Sequence, residues 1–272
     1  MKMSDAVKEL FGMSRLPFTA DIPTGMLLMH ERFRSDIESL RYAVDNHLFT
    51  VVVSPPGCGK STLLRALRDS LPSSGNMFLY ISESRLTPRW LYNQILRQLG
   101  AREYYYRGDG RKAVHEQFAI VRELQRKQIT VCVDEAHLLS LETIQELRFF
   151  LNTDMDSRSP VSLILAGQTE LRGQLQKECF AAIRQRIAYP VVIDPMDRSL
   201  TDRYIKAHMT ASGSQYTDCF SDEAVDAIFD RSGGIPRVVN QICGLCLMAA
   251  ASKGTASVDS QTVEAVVRTS LI

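Results

Sequence analysis

The sequence predicts a doubly wound α/β domain followed by a small, all-helical C-terminal domain. Two observations carry this prediction: short apolar runs alternate with helical patterns up to Pro195, and only helical patterns follow it. The five runs cover residues 49–53, 77–81, 129–133, 161–166 and 191–193. Each run is almost continuously apolar, as expected for a strand buried on both faces of a parallel sheet. Strands that alternate with helices indicate such a sheet, with helices packed against it.

Helical patterns occupy the stretches between and after the runs. Within the α/β part, apolar residues recur three and four positions apart over residues 61–70, 88–99 and 141–152. Further helices are predicted near residues 201–211, 222–232, 236–252 and 260–270. Ser221 is a candidate N-cap, Gly233 and Gly234 end one helix, and Pro236 occupies the first turn of the next. The predicted organisation is an entry segment and first helix (1–46), an α/β core (47–197) and a helical domain (198–272).

The composition is that of an ordinary globular protein. Of 272 residues, 45% are hydrophobic and 23% are charged, which excludes a disordered or fibrous chain. The longest apolar run, residues 242–251, is shorter than the roughly 18 residues of a membrane span, and the N-terminus does not resemble a signal segment. Six cysteines are too few for a disulfide scaffold. These features predict a cytoplasmic protein with no membrane partner.

A glycine-rich segment follows the first strand and leads into a helix. Its residues, after Ser54 and Pro55, are Pro56, Gly57, Cys58, Gly59, Lys60, Ser61 and Thr62. This is the context of a P-loop, in which Gly57 and Gly59 let backbone N–H groups surround phosphate oxygens. Lys60 would reach the β- and γ-phosphates of ATP, and Ser61 would hold Mg²⁺. Ser54 departs from the glycine that usually begins the motif, and the alternative is a strand–helix turn with an incidental lysine.

Two adjacent acids, Asp134 and Glu135, end the third strand. A bound cation gives a physical reason for two carboxylates at the end of a buried strand. In P-loop enzymes the aspartate belongs to the Mg²⁺ shell, and the glutamate orients or deprotonates the attacking water. Glu135 therefore predicts ATP hydrolysis to ADP and phosphate, and not only nucleotide binding. The alternative is a solvated pair of acids in a turn.

Together these motifs resemble the AAA+ ATPases, and more closely their ExeA/TnsC-like clade. The strings that carry the resemblance are residues 16–18 (entry segment), 30–33 (first helix), 133–139 (Walker B), 163–171 (sensor 1), 183–187 (arginine finger) and 233–240 (sensor 2). Their order and spacing cover nearly the whole chain. The resemblance implies an αβα sandwich around a five-stranded parallel sheet, a helical lid domain, and ATP and Mg²⁺ as cofactors.

The resemblance also implies roles for four residues beyond the P-loop and Walker B. Arg184 or Arg186 would act as the arginine finger on the ATP of a neighbouring subunit, with Arg186 slightly favoured. Gln168, at the polar sensor 1 position, would orient the lytic water, and Arg237 of sensor 2 would reach the γ-phosphate. The alternatives are local ones: a surface arginine for each finger candidate, a loop hydrogen bond for Gln168 and a helix-surface salt bridge for Arg237.

Charge is unevenly distributed along the chain. The total is +1, from 32 Lys and Arg against 31 Asp and Glu, whereas residues 85–112 hold seven basic and two acidic residues, a local +5. The residues of this segment predicted to contact DNA are Arg85, Arg89, Arg102, Arg107, Arg111 and Lys112. Basic groups pair with phosphates, and the interleaved Trp90, Tyr92 and tyrosines 104–106 can pack on sugars or bases. The alternative is a solvated helix face with locally packed tyrosines.

The predicted function is that of an ATP-dependent, oligomerising, DNA-binding regulator of transposition. A homo-oligomeric ring or helical filament would surround double-stranded DNA, mark a target, and recruit or activate a transposase; a target-selector protein could take part. The same clade offers an alternative, an ATPase component of type II secretion assembly. A third hypothesis, from a different class, is an ATP-binding switch or scaffold with little turnover.

Overall fold

The structure, a computed structural model, describes residues 3–83, 86–151 and 159–270. The chain divides into two compact units. The helical unit comprises Met1–His30, Gly57–Gly59 and Asp194–Ile272, and the sheet unit comprises Glu31–Pro56 and Lys60–Ile193. The domain boundaries predicted at residues 46/47 and 197/198 stay a prediction. No helix within the described ranges has the length and apolar character needed to cross a membrane.

Within the described residues, the sheet unit contains one sheet of five strands, and every strand pair in it is parallel. The strands are β1 (Phe49–Val53), β2 (Asn76–Ile81), β3 (Gln128–Val133), β4 (Ser162–Gly167) and β5 (Ile187–Val192). They lie in the order β2-β3-β4-β1-β5. The predicted five-stranded parallel sheet is therefore confirmed. Because the strands are parallel, all of their carboxyl ends meet at the same edge, where the predicted nucleotide residues follow them.

Strand β5 differs most from its sequence prediction. It begins at Ile187 and passes through Pro190, whereas the sequence predicted a strand over residues 191–193 only. Strand β5 is an edge strand that pairs with β1 alone, with Pro190 opposite Val51. A proline can occupy an edge strand because its missing N–H costs no bond on the open side. The central strands β1, β3 and β4 are almost wholly buried, as predicted, whereas the two edge strands are partly exposed.

Helices account for most of the remaining described chain. They are α1 (Met3–Leu10), α2 (Glu31–Asp45), α3 (Lys60–Ser70), α4 (Pro88–Gln98), α5 (Arg107–Glu123), α6 (Leu141–Leu147), α7 (Thr169–Leu175), α8 (Ala181–Arg184), α9 (Arg198–Ala211), α10 (Asp222–Ser232), α11 (Pro236–Lys253) and α12 (Ser260–Thr269). The four predicted helices of the C-terminal part are confirmed, three of them to within one residue at each end, while α9 begins three residues before its predicted start. Helix α6 ends at Leu147 and continues as a 3₁₀ turn over Arg148–Leu151, where one helix to residue 152 was predicted; Asn152 lies outside the described residues. Helices α1, α5, α7 and α8 were not predicted.

The two faces of the sheet bury different sets of helices. Val51, Val131 and Leu163 belong to one core with residues of α4 to α8, including the fully buried Leu91 and Phe118. Alternation along the strands turns the intervening residues to the other face. Helix α2 contacts four of the strands there, and Ser162 Oγ donates to the Val44 carbonyl at 2.9 Å. Helices on both faces give the three-layer arrangement that the sequence predicted.

The helical unit packs α1 and the entry segment against α9 to α12. Phe11, Phe18 and Phe220 share its core with Met209 of α9. The Phe18 ring stacks on His208 at a centroid distance of 5.3 Å, and its backbone N–H donates to His208 Nδ1 at 3.3 Å. The entry segment is thus an integral part of this unit's core.

Candidate functional site

The P-loop runs from the end of β1 to the start of α3. Gly57 and Gly59 adopt the left-handed backbone region, with φ of 83° and 96°, which favours glycine and turns successive N–H groups inward. Pro56 is exposed, Thr62 is half-buried on α3, and Cys58 is buried. Burial, assisted by the charge of Asp194, raises the pKa of the Cys58 thiol, so this cysteine is a packing residue. The loop has the local geometry of a phosphate cradle.

Arg237 lies against the P-loop within the helical unit. Its backbone N–H donates to the Gly57 carbonyl at 3.2 Å. A Cβ atom at Gly57 would lie 3.0 Å from Arg237 Cβ and 3.0 Å from Ile235 Cγ2, so only glycine fits without displacing them. Pro236 occupies the first turn of α11 and fixes where that helix begins. The predicted sensor 2 residue is therefore held next to the loop, with its side chain exposed.

Lys60, Asp134 and Glu135 form a compact charged cluster at the carboxyl edge of the sheet. Lys60 Nζ lies 3.0 Å from Asp134 Oδ1 and 2.9 Å from Glu135 Oε1. The side chain of Asp134 is only 4% exposed and that of Lys60 only 8%, so each charge depends on its partner. Ser61 Oγ donates to Asp134 Oδ2 at 3.3 Å. The structure thus brings together the four residues predicted for phosphate, Mg²⁺ and water.

Tyr80 completes the surroundings of Asp134 and was not predicted as a site residue. Its hydroxyl donates to Asp134 Oδ2 at 2.6 Å. Burial raises the pKa of Asp134, but the Tyr80 hydrogen bond, the Lys60 charge and the Glu135 N–H outweigh it and lower the pKa overall. Burial and the same hydrogen bond raise the pKa of Tyr80. The available signal in the sequence was its position next to the end of the second apolar run, residues 77–81.

Glu135 is held in a left-handed conformation that is unusual for a residue with a side chain. Its φ is 52°, and its backbone N–H donates to Asp134 Oδ1 at 2.8 Å. Gln168 Nε2 donates to Glu135 Oε2 at 3.4 Å. Gln168 therefore contacts Glu135, and its role in orienting water stays a prediction. His137 Nε2 is 3.7 Å from the same oxygen, and sequence reasoning gave His137 no role.

The two candidate arginine fingers have different surroundings. The Arg184 guanidinium donates to the carbonyls of Leu175, Gln176 and Lys177, at 3.0, 2.9 and 3.4 Å, and so caps the C-terminus of α7. Arg186 is half-buried and lies directly before β5. The finger role of either residue stays a prediction.

The oxygen donors of Ser61 and Asp134 fit a magnesium ion. Mg²⁺ binds hard oxygen ligands and is usually held by one or two protein groups together with substrate phosphates. The Asp134 carboxylate and the Ser61 hydroxyl converge beside Lys60, which is the residue expected to bind those phosphates. The donor set therefore matches a Mg²⁺–nucleotide complex.

The predicted DNA-contacting residues, here called the basic surface, are Arg89, Arg102, Arg107, Arg111 and Lys112; Arg85 lies outside the described residues. Arg107 forms ion pairs with Glu142 and with the buried Glu146. Lys112 Nζ is 3.9 Å from Glu116, and both side chains are well exposed. Arg107 thus neutralises local acids, whereas the contact of Lys112 is that of a solvated pair.

Aromatic rings accompany the other three arginines of the basic surface. Arg89 lies 5.5 Å from the Trp90 ring and 5.3 Å from the Tyr105 ring. Arg102 lies over Tyr104 at 4.7 Å, and Arg111 lies over Phe149 at 4.8 Å. Trp90, Tyr105 and Tyr106 are exposed. This part of the chain presents cations that are stacked on rings and face solvent.

Comparison with known proteins agrees with this geometry. Residues 44–175 match a family model described as an AAA domain. The structure of Cdc6p from Pyrobaculum aerophilum superposes with a TM-score of 0.71 at 17% identity, over 92% of this chain and 69% of that one. The fold is that of the AAA+ ATPases.

Other AAA+ structures and one curated protein are also similar. The Aeropyrum pernix ORC1 protein, solved in complex with DNA, has a TM-score of 0.67 at 15% identity, over 92% of this chain and 68% of that one. General secretion pathway protein A of Aeromonas hydrophila is 28% identical over 254 residues. That match covers 91% of this chain and 45% of the relative, so the chain spans less than half of that protein's length.

Proposed function

We propose that the protein is a Mg²⁺-dependent ATPase that hydrolyses ATP to ADP and phosphate. The observation that carries this proposal is the contact of Lys60 Nζ with both Asp134 and Glu135, at 3.0 and 2.9 Å. ATP phosphates would compete with these carboxylates for Lys60, and the carboxylates would then be available for Mg²⁺ and for water. The residues proposed as general base, phosphate-binding cation and metal ligand belong to one hydrogen-bonded cluster, which supports the proposal.

Each residue of the cluster has a role in this reaction. The nucleotide would be bound by Pro56, Gly57, Cys58, Gly59, Lys60, Ser61, Thr62 and Arg237. Mg²⁺, held by Ser61 and Asp134, would neutralise charge on the β- and γ-phosphates. Glu135 would accept a proton from water while the water oxygen bonds to the γ-phosphorus and the bond to the bridging oxygen breaks, which releases ADP. Gln168 would orient that water, and Arg237 would contact the γ-phosphate.

Substitution of Glu135 tests this proposal. Glu135→Gln keeps the size of the side chain and removes the base, so turnover should fall by roughly 100-fold or more while ATP binding is retained. Lys60→Ala should abolish ATP binding itself. Glu170→Gln, which changes an exposed acid of α7, serves as the matched control. Wild-type turnover in Glu135→Gln would refute the assignment of Glu135 as the base.

We further propose that the active form is a homo-oligomer in which Arg186 reaches the ATP of a neighbouring subunit. Arg184 suits this role less well, because its guanidinium already bonds carbonyls at the end of α7, whereas a finger extends toward the γ-phosphate of a neighbouring subunit. Ring and helical filament are both consistent with a finger acting between subunits. The helical part, from about residue 198, would act as a lid on the α/β core.

Duplex DNA is the proposed ligand of the basic surface. Arg89, Arg102, Arg111 and Lys112 present the exposed or ring-stacked cations, whereas Arg107 contributes less because its charge is taken by Glu142 and Glu146. Solved structures with this fold include Drosophila ORC bound to DNA. Several subunits would repeat these contacts along the backbone, so that weak contacts add.

Salt dependence of assembly tests the DNA proposal. With ATP and duplex DNA, the Glu135→Gln protein should form assemblies that are visible by electron microscopy and dissociate as salt is raised. Arg111→Ala should lower the slope of log affinity against log salt by about 0.9 for each DNA phosphate that a subunit no longer neutralises. Arg97→Ala, whose side chain is paired with Glu103, is the matched control. A slope equal to wild type in Arg111→Ala would contradict the proposed role of this arginine.

Downstream of ATP and DNA, we propose that the assembly marks target DNA and recruits or activates a transposase, with a target-selector protein as a further partner. These steps would take place in the cytoplasm, where ATP and duplex DNA are available. Similarity to a general secretion pathway protein supports a second candidate, an ATPase component of type II secretion assembly. ATP turnover that duplex DNA leaves unchanged, in a protein that does not bind DNA, would favour that candidate. A third candidate, an ATP-binding switch, predicts binding with almost no turnover.

A further inference from the structure

His137 lies in the turn that follows Walker B and packs against the end of β4. It lies in the 3₁₀ turn Ala136–Leu138, directly after Glu135 and Ala136, and its side chain is only 10% exposed. A Cβ atom at Gly167, the last residue of β4, would lie 3.2 Å from the backbone nitrogen of His137. The turn and the strand end are thus in close contact, and a shift of one must displace the other.

Hydrogen bonding fixes which nitrogen of His137 carries the proton. The backbone N–H of Gln168 donates to His137 Nδ1 at 3.4 Å. A nitrogen that accepts a hydrogen bond has no proton, so the neutral ring carries its proton on Nε2. That nitrogen lies 3.7 Å from Glu135 Oε2. His137 therefore has one side directed at the sensor 1 backbone and the other at the proposed catalytic base.

The turn is also anchored from α7. Gln174 Nε2 donates to the His137 carbonyl at 2.8 Å. Because both the ring and the backbone of His137 are held by residues at the end of β4 and in α7, the ring has little freedom to turn away from Glu135. A contact of this kind can transmit a small displacement to the carboxylate.

The two oxygens of Glu135 have separate partners. Oε1 lies 2.9 Å from Lys60 Nζ, while Oε2 has the Gln168 amide at 3.4 Å and His137 Nε2 at 3.7 Å. The His137 contact is longer than a direct hydrogen bond, and such contacts in active sites shorten once the substrate is bound. If phosphate takes Lys60, Oε1 loses its partner and Oε2 keeps both of its own.

We propose that His137 is a positioning residue that holds Glu135 by Oε2 and so leaves Oε1 as the atom that takes the proton from water. The same contact links the position of the β4 end, which Gln168 directly follows, to the orientation of the proposed base. This inference rests on the proposed ATPase function and deepens it. The proposal requires a hydrogen-bond donor on the side of residue 137 that faces Glu135. A polar side chain without a donor on that side does not suffice.

Three substitutions separate the two sides of the ring. His137→Asn keeps an acceptor near the Nδ1 position and loses the donor toward Glu135. His137→Gln can place an amide donor near the Nε2 position and loses the acceptor, and His137→Ala loses both. Leu138→Ala, in the same turn and at an exposed residue, is the matched control.

We expect kcat to fall by about 10- to 100-fold in His137→Ala and His137→Asn, with recovery to within about threefold of wild type in His137→Gln. The affinity for ADP should change by less than about threefold in all three, because the residues that bind phosphate are untouched. Wild-type kcat in His137→Asn overturns the proposal, and so does a His137→Gln protein that is as slow as His137→Ala. Thermal unfolding identifies any variant that is not folded, and the comparison of Asn with Gln does not need the alanine protein.

A measurement without turnover keeps this inference distinct from the proposed function. Nitrogen-15 NMR of the histidine-labelled full chain should show the Nε2–H tautomer for His137, assigned by its loss in His137→Gln; an Nδ1–H tautomer overturns the proposal. If the wild-type protein does not hydrolyse ATP, the proposed function fails whatever the tautomer, and wild-type turnover in Glu135→Gln removes only the assignment of Glu135 as the base. If Glu135→Gln is inactive and His137→Asn is fully active, only the role of His137 fails.

Discussion

Gly234 is the position at which the structure makes its sharpest stability prediction. Its φ is +72°, and a Cβ atom added there would lie 1.8 Å from the Met196 carbonyl oxygen and 2.8 Å from the carbonyl carbon. Both are backbone atoms, so no side-chain rotation can relieve the overlap. The preceding residue, Gly233, has a φ of +56° and no atom within 4 Å of its added Cβ. The two glycines therefore separate steric overlap from backbone strain.

The expected magnitudes differ several-fold. Gly233→Ala should cost only the left-handed strain, about 1 kcal/mol of the free energy of unfolding. Gly234→Ala carries the same strain and must also move backbone, which costs about 1–3 kcal/mol for overpacking. The movement also weakens the hydrogen bond from Met196 N to Gly234 O, now 2.9 Å long, for about 1 kcal/mol more. We expect about 3–5 kcal/mol in total.

Urea denaturation followed by far-ultraviolet circular dichroism measures this difference. The midpoint of Gly234→Ala should lie well below that of Gly233→Ala, with the latter close to wild type. Because Arg237 lies in the first turn of the next helix and its backbone N–H donates to the Gly57 carbonyl, ADP affinity should also fall more in Gly234→Ala. Equal destabilisation by the two substitutions would show that the contact with Met196 is not as close as the structure has it, and the reasoning would be refuted.

Three further predictions concern other residues. Burial, with a smaller effect of the Arg15 charge, lowers the pKa of His208 to about 4, below its unfolded value near 6.5. The stability that the neutral ring contributes is therefore complete above pH 6.5 and is lost as the pH falls toward 4. Urea unfolding should show a loss of up to about 3 kcal/mol over that window in wild type but not in His208→Gln. Burial raises the pKa of Asp134, but the Tyr80 hydrogen bond helps to lower it overall, so the stability that the ionised carboxylate contributes above pH 4 is lost on acidification. Between pH 5 and 3, the free energy of unfolding should therefore fall less in Tyr80→Phe than in wild type. Arg184→Ala should lower the melting temperature through loss of the α7 cap, and Arg186→Ala should lose turnover. Mixing Arg186→Ala with Lys60→Ala subunits should restore turnover, and failure to do so argues against a finger acting between subunits.

Local sequence patterns predicted most of the fold, and the elements that they did not predict correctly have identifiable physical reasons. The central strands were found because β1, β3 and β4 are almost continuously apolar and bounded by turn residues. The extent of β5 was not found, because the strand begins with exposed residues and contains Pro190, which only an edge position tolerates. Helix α5 was missed because two glycines and several charges fill its first turns, and its apolar residues begin only at Ala113.

The candidate site likewise contains residues that the sequence predicted and residues that it did not. Lys60, Asp134 and Glu135 were predicted because each belongs to a motif that is contiguous in sequence. Tyr80 lies 54 residues from Asp134, and their contact depends on β2 being the neighbour of β3. Sequence spacing does not state which strands are neighbours. His137 was within a recognised motif, but its role rests on two distances to residues that β4 brings beside it.

The double contact of Lys60 has a consequence for how binding and catalysis are linked. A buried ammonium between two carboxylates is well compensated, and removing it would leave two acids close together, of which Asp134 is almost wholly buried. For ATP phosphates to bind Lys60, Asp134 and Glu135 must therefore replace the lysine with other partners. Mg²⁺ can serve Asp134, and the donors of Gln168 and His137 can serve Glu135. In the proposed mechanism, binding of ATP to Lys60 therefore also frees Glu135 from the lysine and orients it. A nucleotide that binds without contacting Lys60 should leave the contact between Glu135 and Lys60 in place.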